Sequence, residues 1–269
     1  MGREMRVFVG PLDAFGLDGR VAFISGGGGA IGSAIAVAIG QAGAKVVIGD
    51  VDQGRADVAA KKIQAAGAEC LAFGADVTQE ADAERIVAAA VERFGRLDII
   101  VNAVGGGAAE VLFDAEVYPR DAWDWIMNLN VRSTLVATQA SVRAMIKGGR
   151  GGRVVNISSV RAQLGLHAGY SAYVAAKGAI SSLTRQWATE WARHSITVNA
   201  IAPTFIDTPQ AALMLDDPAF KTALVSRIPL GRVGDTSDLL GAVIFFASPA
   251  SSFVTGQILT IDGGLTATQ

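Results

Sequence analysis

The chain has one cysteine, Cys70, and two histidines, His167 and His194, in 269 residues. A single thiol excludes an intrachain disulfide. With only two imidazoles beside it, the chain is poorly supplied for a zinc or thiolate-metal centre, and no metal is expected. Charge is scarce too: 18% of residues are charged and the net charge is −2, where about a quarter charged is usual. No basic stripe stands out, so nucleic acid is not an expected partner. A membrane span is also missing. The least charged stretch, residues 24–44, carries Gly26 to Gly29, Ser33 and Gln41, which would break a spanning helix and dilute its apolarity. Residues 1–13 include Arg3, Glu4 and Arg6 and lack the apolar centre of a signal peptide. The expectation is a cytoplasmic protein without a membrane partner. What the chain has in excess is apolar residues, 51%, which suits a sheet covered on both faces or an oligomer that hides further surface.

Short β-rich runs at 21–25, 45–49, 70–73, 99–102, 153–157, 197–200 and 258–261 alternate with alanine-rich helical patterns at 30–41, 53–66, 80–94, 122–147 and 172–193. Glycine follows several helices (Gly43, Gly67, Gly95, Gly148) as a stop signal. Alternation of this kind predicts about seven parallel strands joined by right-handed crossovers, a Rossmann-type doubly wound α/β sheet in a single domain. Residues 1–16 read as an N-terminal arm and 17–269 as the folded domain. Residues 203–232 break the alternation and contain Pro209, Pro218 and Pro229. They read either as a substrate loop at a strand's C-terminal end or as a surface excursion with a short helix.

The first strand runs into Ser25-Gly26-Gly27-Gly28-Gly29-Ala30-Ile31-Gly32 and then a helix. Glycine allows a sharp turn and close approach of a pyrophosphate, and the helix start offers free N–H groups and a positive dipole end. Asp50 closes the second strand, where a carboxylate accepts hydrogen bonds from an adenosine ribose and repels a 2′-phosphate. No Lys or Arg lies within 25–41 or directly after Asp50. The expected cofactor is therefore NAD, with NADP less favoured. Asp76 either faces the adenine or caps the next helix.

Tyr173 and Lys177 are four apart in a helical pattern, so phenol and ammonium share a face. A nearby cation lowers a phenol's pKa from about 10 toward a useful acid/base range. Tyr170 has Val174 at the corresponding place, which leaves Tyr173 as the candidate.

Together these residues resemble the short-chain dehydrogenase/reductase family from about Leu17 onward. The family's glycine loop corresponds to Gly26, Gly29, Ala30, Ile31 and Gly32, and its NNAG motif to Asn102-Ala103-Val104-Gly105. The helix asparagine corresponds to Asn130, the serine motif to Asn156-Ile157-Ser158-Ser159, the YxxxK motif to Tyr173 and Lys177, and the PG motif to Pro203-Thr204. The resemblance implies a hydride transfer between NAD(H) and a secondary alcohol or ketone. In it Tyr173 exchanges the proton, Lys177 tunes the tyrosine and holds the nicotinamide ribose, and Ser159 (Ser158 being the alternative) donates to the substrate oxygen. Asn130 would hold a water leading from Lys177 to solvent. Asp76, Val77, Asn102, Gly105, Pro203, Thr204, Ile206 and Thr208 join Asp50 and the glycine loop as cofactor contacts.

Candidate pocket residues are Gly105 to Ala108, Arg161, Gln163, His167, Phe205 and 207–230. Arg161 is read either as a substrate contact or as part of a solvated loop or intersubunit salt bridge. Thr208-Pro209-Gln210 resembles gluconate 5-dehydrogenase-like members, which points to a sugar acid, polyol or similar small polar substrate. A 3-oxoacyl thioester reductase is the same-class alternative, and a catalytically silent NAD-binding regulator the alternative of another class. The resemblance also implies a homotetramer built on the helices at 122–147 and 172–193. Trp187 and Trp191 belong either to that interface or to the core.

Overall fold

The computed structural model describes Gly10, residues 12–166 and residues 169–268. Seven strands form one parallel sheet in the order β3-β2-β1-β4-β5-β6-β7. They are β1 (Val21–Ser25), β2 (Lys45–Asp50), β3 (Cys70–Gly74), β4 (Ile99–Asn102), β5 (Gly152–Ile157), β6 (Ile196–Pro203) and β7 (Ile258–Ile261). The order reverses between β1 and β4, which pair in register from Ala22 opposite Ile99 to Ser25 opposite Asn102. A crevice opens at such a reversal, at the strands' carboxyl ends.

The inner strands, β2, β1, β4, β5 and β6, are buried on both faces, since side chains alternate across each strand and helices cover both sides, while the edge strands β3 and β7 are only partly covered. Ile24, Ile48, Val101 and Val155 face one core with α1 (Ala30–Gln41), α2 (Gln53–Ala65) and α9 (Ser237–Ala247). Phe23, Val47, Ile100 and Val154 face the other, with α3 (Glu80–Phe94), α5 (Ser133–Gly148) and α6 (Ser171–Trp191). Trp187 is buried in that second core and stacks on Trp191 at 5.2 Å, so the pair belongs to the core.

Three expectations change. The helix expected over 122–147 is two helices, α4 (Arg120–Met127) and α5, joined by a π turn, Asn128–Arg132. Hydroxyls explain how the wide turn is tolerated: Ser133 donates to the Leu129 carbonyl at 2.6 Å and Thr134 to that of Asn130 at 2.9 Å. The irregular stretch at 203–232 holds α7 (Pro209–Leu215) and α8 (Pro218–Val225), each with proline in its first turn and a Thr208 or Asp217 side chain as N-cap. Its ends are drawn together by a single bridge between Ile206 and Gly234. α9 was not anticipated: Gly241 and a run of Val, Ile and Phe disguise its helical period. Of the arm expected at 1–16, residues 1–9 and 11 lie outside the described residues. Asp13–Phe15 form a 3-10 turn, and Phe15 meets the Phe245 ring at 6.3 Å.

Candidate active site

The glycine turn sits over the β1/β4 reversal. Gly26 has φ +71°, a left-handed conformation open to glycine, and a Cβ at Gly32 would strike the Gly26 carbonyl. A Cβ at Gly28 would stand 2.9 Å from the Asp50 carboxylate. α1 begins after Gly29 with no side-chain cap, so its first N–H groups remain available to an anion. On the far side of the crevice Thr204 Oγ1 is buried without a hydrogen-bond partner. An uncapped helix start, glycines with no room for a side chain and an orphan hydroxyl together fit a dinucleotide, whose pyrophosphate the start of α1 could receive.

Asp50 is buried, with one oxygen accepting from Gly28 N–H at 3.1 Å and the other from Asp52 N–H at 3.0 Å. The expectation that no cation attends it needs correction. Arg55, in the first turn of α2, donates from Nη2 to Asp50 Oδ1 at 2.9 Å. Adjacency in sequence was the wrong test, because the chain turns at Asp52 and the helix brings Arg55 back.

At the other end of the crevice a cavity is lined by Ile31, Gly105, Ser159, Tyr173, Lys177 and Thr204, with Pro203, Ile206 and Thr208 also in its wall. Tyr173 is half-buried and Lys177 is 3% exposed. Lys177 Nζ donates to the Ile157 carbonyl at 3.0 Å and lies 5.6 Å from the Tyr173 ring centre. The spacing argument expected the ammonium to lower the tyrosine's pKa. Burial prevails instead: it pushes the Tyr173 phenol up to about 12, against the pull of the Ser159 hydroxyl, and it pulls Lys177 down to about 8. The two serines separate clearly. Ser158 is tied to Ser181 Oγ at 2.8 Å and to the Lys177 carbonyl at 3.2 Å. Ser159 lines the cavity with Tyr173, its hydroxyl accepting from Arg161 N–H at 3.1 Å and donating to the Pro203 carbonyl at a long 3.4 Å.

Asn130 lies in the π turn, fully buried. Its amide receives Gly106 N–H at 2.9 Å and donates to the Gly106 and Ile126 carbonyls at 3.1 and 3.0 Å. It clamps the Gly105–Gly107 loop, whose Gly106 takes φ +115° where a side chain would run into the Gln210 amide.

Several other expected contact residues have side chains engaged within the fold. Asn102 faces inward, donating to Thr138 Oγ1 at 2.7 Å and Asn156 Oδ1 at 2.8 Å. Asn156 in turn donates to Thr184 at 2.9 Å. This buried network holds β4, β5, α5 and α6 together beneath the site. The Val77 side chain is in the second core. Asp76 accepts from Thr78 N–H at 2.9 Å and does not cap α3, whose N-cap is Gln79. Gln163 is exposed and outside the cavity wall, and His167 lies outside the described residues. Tyr170, set aside as a catalytic residue, does line the cavity and donates to Met214 Sδ at 2.8 Å. Glu110 at the wall was missed, since its short 3-10 turn leaves no periodic signal.

A crevice for a dinucleotide beside a buried Ser and Lys and a half-buried Tyr defines a nicotinamide-dependent oxidoreductase. Residues 28–266 match the family model described as "Enoyl-(Acyl carrier protein) reductase". The chain is 36% identical over 254 residues to 2-dehydro-3-deoxy-D-gluconate 5-dehydrogenase of Dickeya dadantii, covering 94% of this chain and 98% of that protein. It is also 36% identical to a 3-oxoacyl-[acyl-carrier-protein] reductase of Thermotoga maritima, over 93% and 98%. A crystal structure of a gluconate 5-dehydrogenase from Burkholderia cenocepacia J2315, in complex with NADP and tartrate, superposes with a TM-score of 0.87 at 36% identity, covering 97% of this chain and 100% of that one. The chain belongs to the short-chain dehydrogenase/reductase family, as an NAD(P)-dependent oxidoreductase acting on CH–OH groups. Among the described residues no helix is long and apolar enough to cross a membrane, and no cluster of three or more metal-ligating side chains occurs.

Proposed function

We propose that the protein interconverts a polyhydroxylated acid, or a similar small polar alcohol, with its ketone, using NAD(H) in preference to NADP(H). The observation that carries this reading is the juxtaposition of Ser159 and Tyr173 in a cavity that also presents Arg161, Thr208 and Gln210. The nicotinamide supplies the hydride acceptor or donor. Ser159 donates to the substrate oxygen and stabilises charge there. Tyr173 gives or takes the proton on that oxygen, Lys177 holds the ribose, and Asn130 keeps the Gly105–Gly107 loop in place for the cofactor. The glycine loop residues Gly26, Gly29, Ala30, Ile31 and Gly32 receive the pyrophosphate, and Asp50 the adenosine ribose.

The raised phenol pKa sets a direction. A group at about 12 is protonated at neutral pH, so carbonyl reduction has its proton donor in place, whereas alcohol oxidation must first remove that proton. Nicotinamide absorbance on a panel of sugar acids, polyols and acetoacetyl thioesters should show oxidation climbing with pH and reduction not doing so. Tyr173→Phe should abolish both while retaining NADH binding. Near-normal turnover by that variant defeats the assignment. The apolar side chains of Leu213, Met214 and Phe205 in the same wall favour the thioester as second reading, and the acetoacetyl thioester in the panel decides it. The expected location is the cytoplasm, and the expected assembly is a homotetramer, for which exposed Trp123, Trp125 and Ile146 on α4 and α5 offer apolar contact surface.

A further inference from the structure

The cavity contains a cation that no carboxylate of the described protein neutralises. Arg161 stands two residues after Ser159, is 4% exposed and forms part of the cavity wall. Its backbone N–H donates to Ser159 Oγ at 3.1 Å, and Nη1 donates to the Gly165 carbonyl at 3.2 Å. A guanidinium carries five N–H donors in a planar fork, so one carbonyl leaves most of it unanswered. Among the described residues nine ion pairs form, and none includes Arg161.

Such a charge is normally paired when buried. Glu110 is the one carboxylate in the same wall; it is exposed and makes no ion pair with Arg161. The depth of Arg161 also argues against a pair with another subunit across the surface. Its electrostatic neighbours are the phenols of Tyr170 and Tyr173 and the exposed cation Arg227, which adds positive charge to the same region.

We propose that Arg161 is the carboxylate anchor of the substrate, gripping the acid end of a hydroxy or keto acid while its carbinol carbon lies between Ser159 and Tyr173. This rests on the oxidoreductase reading above and narrows it from polar alcohols to acids. The fork of a guanidinium matches two carboxylate oxygens at once, which an ammonium does not. Because the Arg161 backbone is bonded to the Ser159 hydroxyl, the anchor and the oxyanion donor are set by one turn of chain. The distance from acid to reacting carbon is thereby fixed as well.

The test compares a six-carbon keto acid, the uncharged ketose of the same length and that ketose's phosphate ester, all with NADH. The wild type should prefer the keto acid to both others. Arg161→Gln should lower the ratio of kcat/KM for acid over neutral ketose by on the order of 30- to 100-fold. The loss should fall mainly in KM, with the NADH Kd and melting temperature preserved. Arg161→Lys should restore only part of the ratio. If Arg161→Gln slows both substrates alike, the side chain merely supports Ser159 and the anchor is wrong. A wild-type preference for the neutral ketose or for the phosphate overturns it equally. Absence of turnover on every carbonyl in the panel is a different result, because it defeats the oxidoreductase reading itself.

Discussion

At the scale of single residues, the proposed preference for NAD turns on Asp50 and Arg55. The carboxylate is fixed by two backbone N–H groups and the guanidinium, so it cannot easily swing away from an incoming 2′-phosphate. Arg55 is about half exposed and its charge is engaged by the aspartate. Removing the acid should release that charge. Asp50→Ala is expected to raise kcat/KM with NADP and lower it with NAD, inverting the preference. Arg55→Ala should instead weaken only whatever NADP activity exists. Parallel kinetics with the two cofactors check this, and an Asp50→Ala enzyme that still favours NAD refutes the role of the pair. The same two residues show the limit of reading a site by sequence neighbours. Asp50 was legible from its place after a strand, whereas Arg55 required knowing that the chain doubles back at Asp52.

Among the secondary-structure elements, the strands were legible because each is a short apolar run ended by a turn residue, and all seven expected runs occur with ends shifted by a few residues at most. The π turn was not. Asn128 to Arg132 keeps helical periodicity on either side, so nothing in composition marks the one wide turn that points Asn130 at Gly106. The Asn102 motif was visible, but its direction was not, since Thr138 and Thr184 come from helices far away in sequence. For the π turn the consequence is measurable. Asn130→Ala removes three hydrogen bonds and leaves Gly106 without its clamp, at a cost of roughly 1–3 kcal/mol per unsatisfied buried group. The variant should melt several degrees lower and lose most of its kcat. Thermal melts and steady-state rates that both match the wild type would rule the clamp out.

Over the whole molecule, the chain has more apolar surface than one sheet sandwich hides. Phe253 is fully exposed, and Val117, Leu213 and Leu230 are about two-thirds exposed. A tetramer of the 27.7 kDa chain should appear in light scattering coupled to gel filtration. A concentration-independent monomer would exclude it and would leave those side chains without cover.

The bridge between Ile206 and Gly234 bears on how such an enzyme diversifies. It staples the base of the segment that carries α7 and α8, so the intervening residues hang from a closed neck while the buried asparagine–threonine network stays on the other side of it. Exchange of that cassette with a relative's should change what the cavity accepts beyond the carboxylate, while Arg161, Ser159, Tyr173 and Lys177, all outside it, keep their places. Selection, or an engineer, can rewrite one without renegotiating the other.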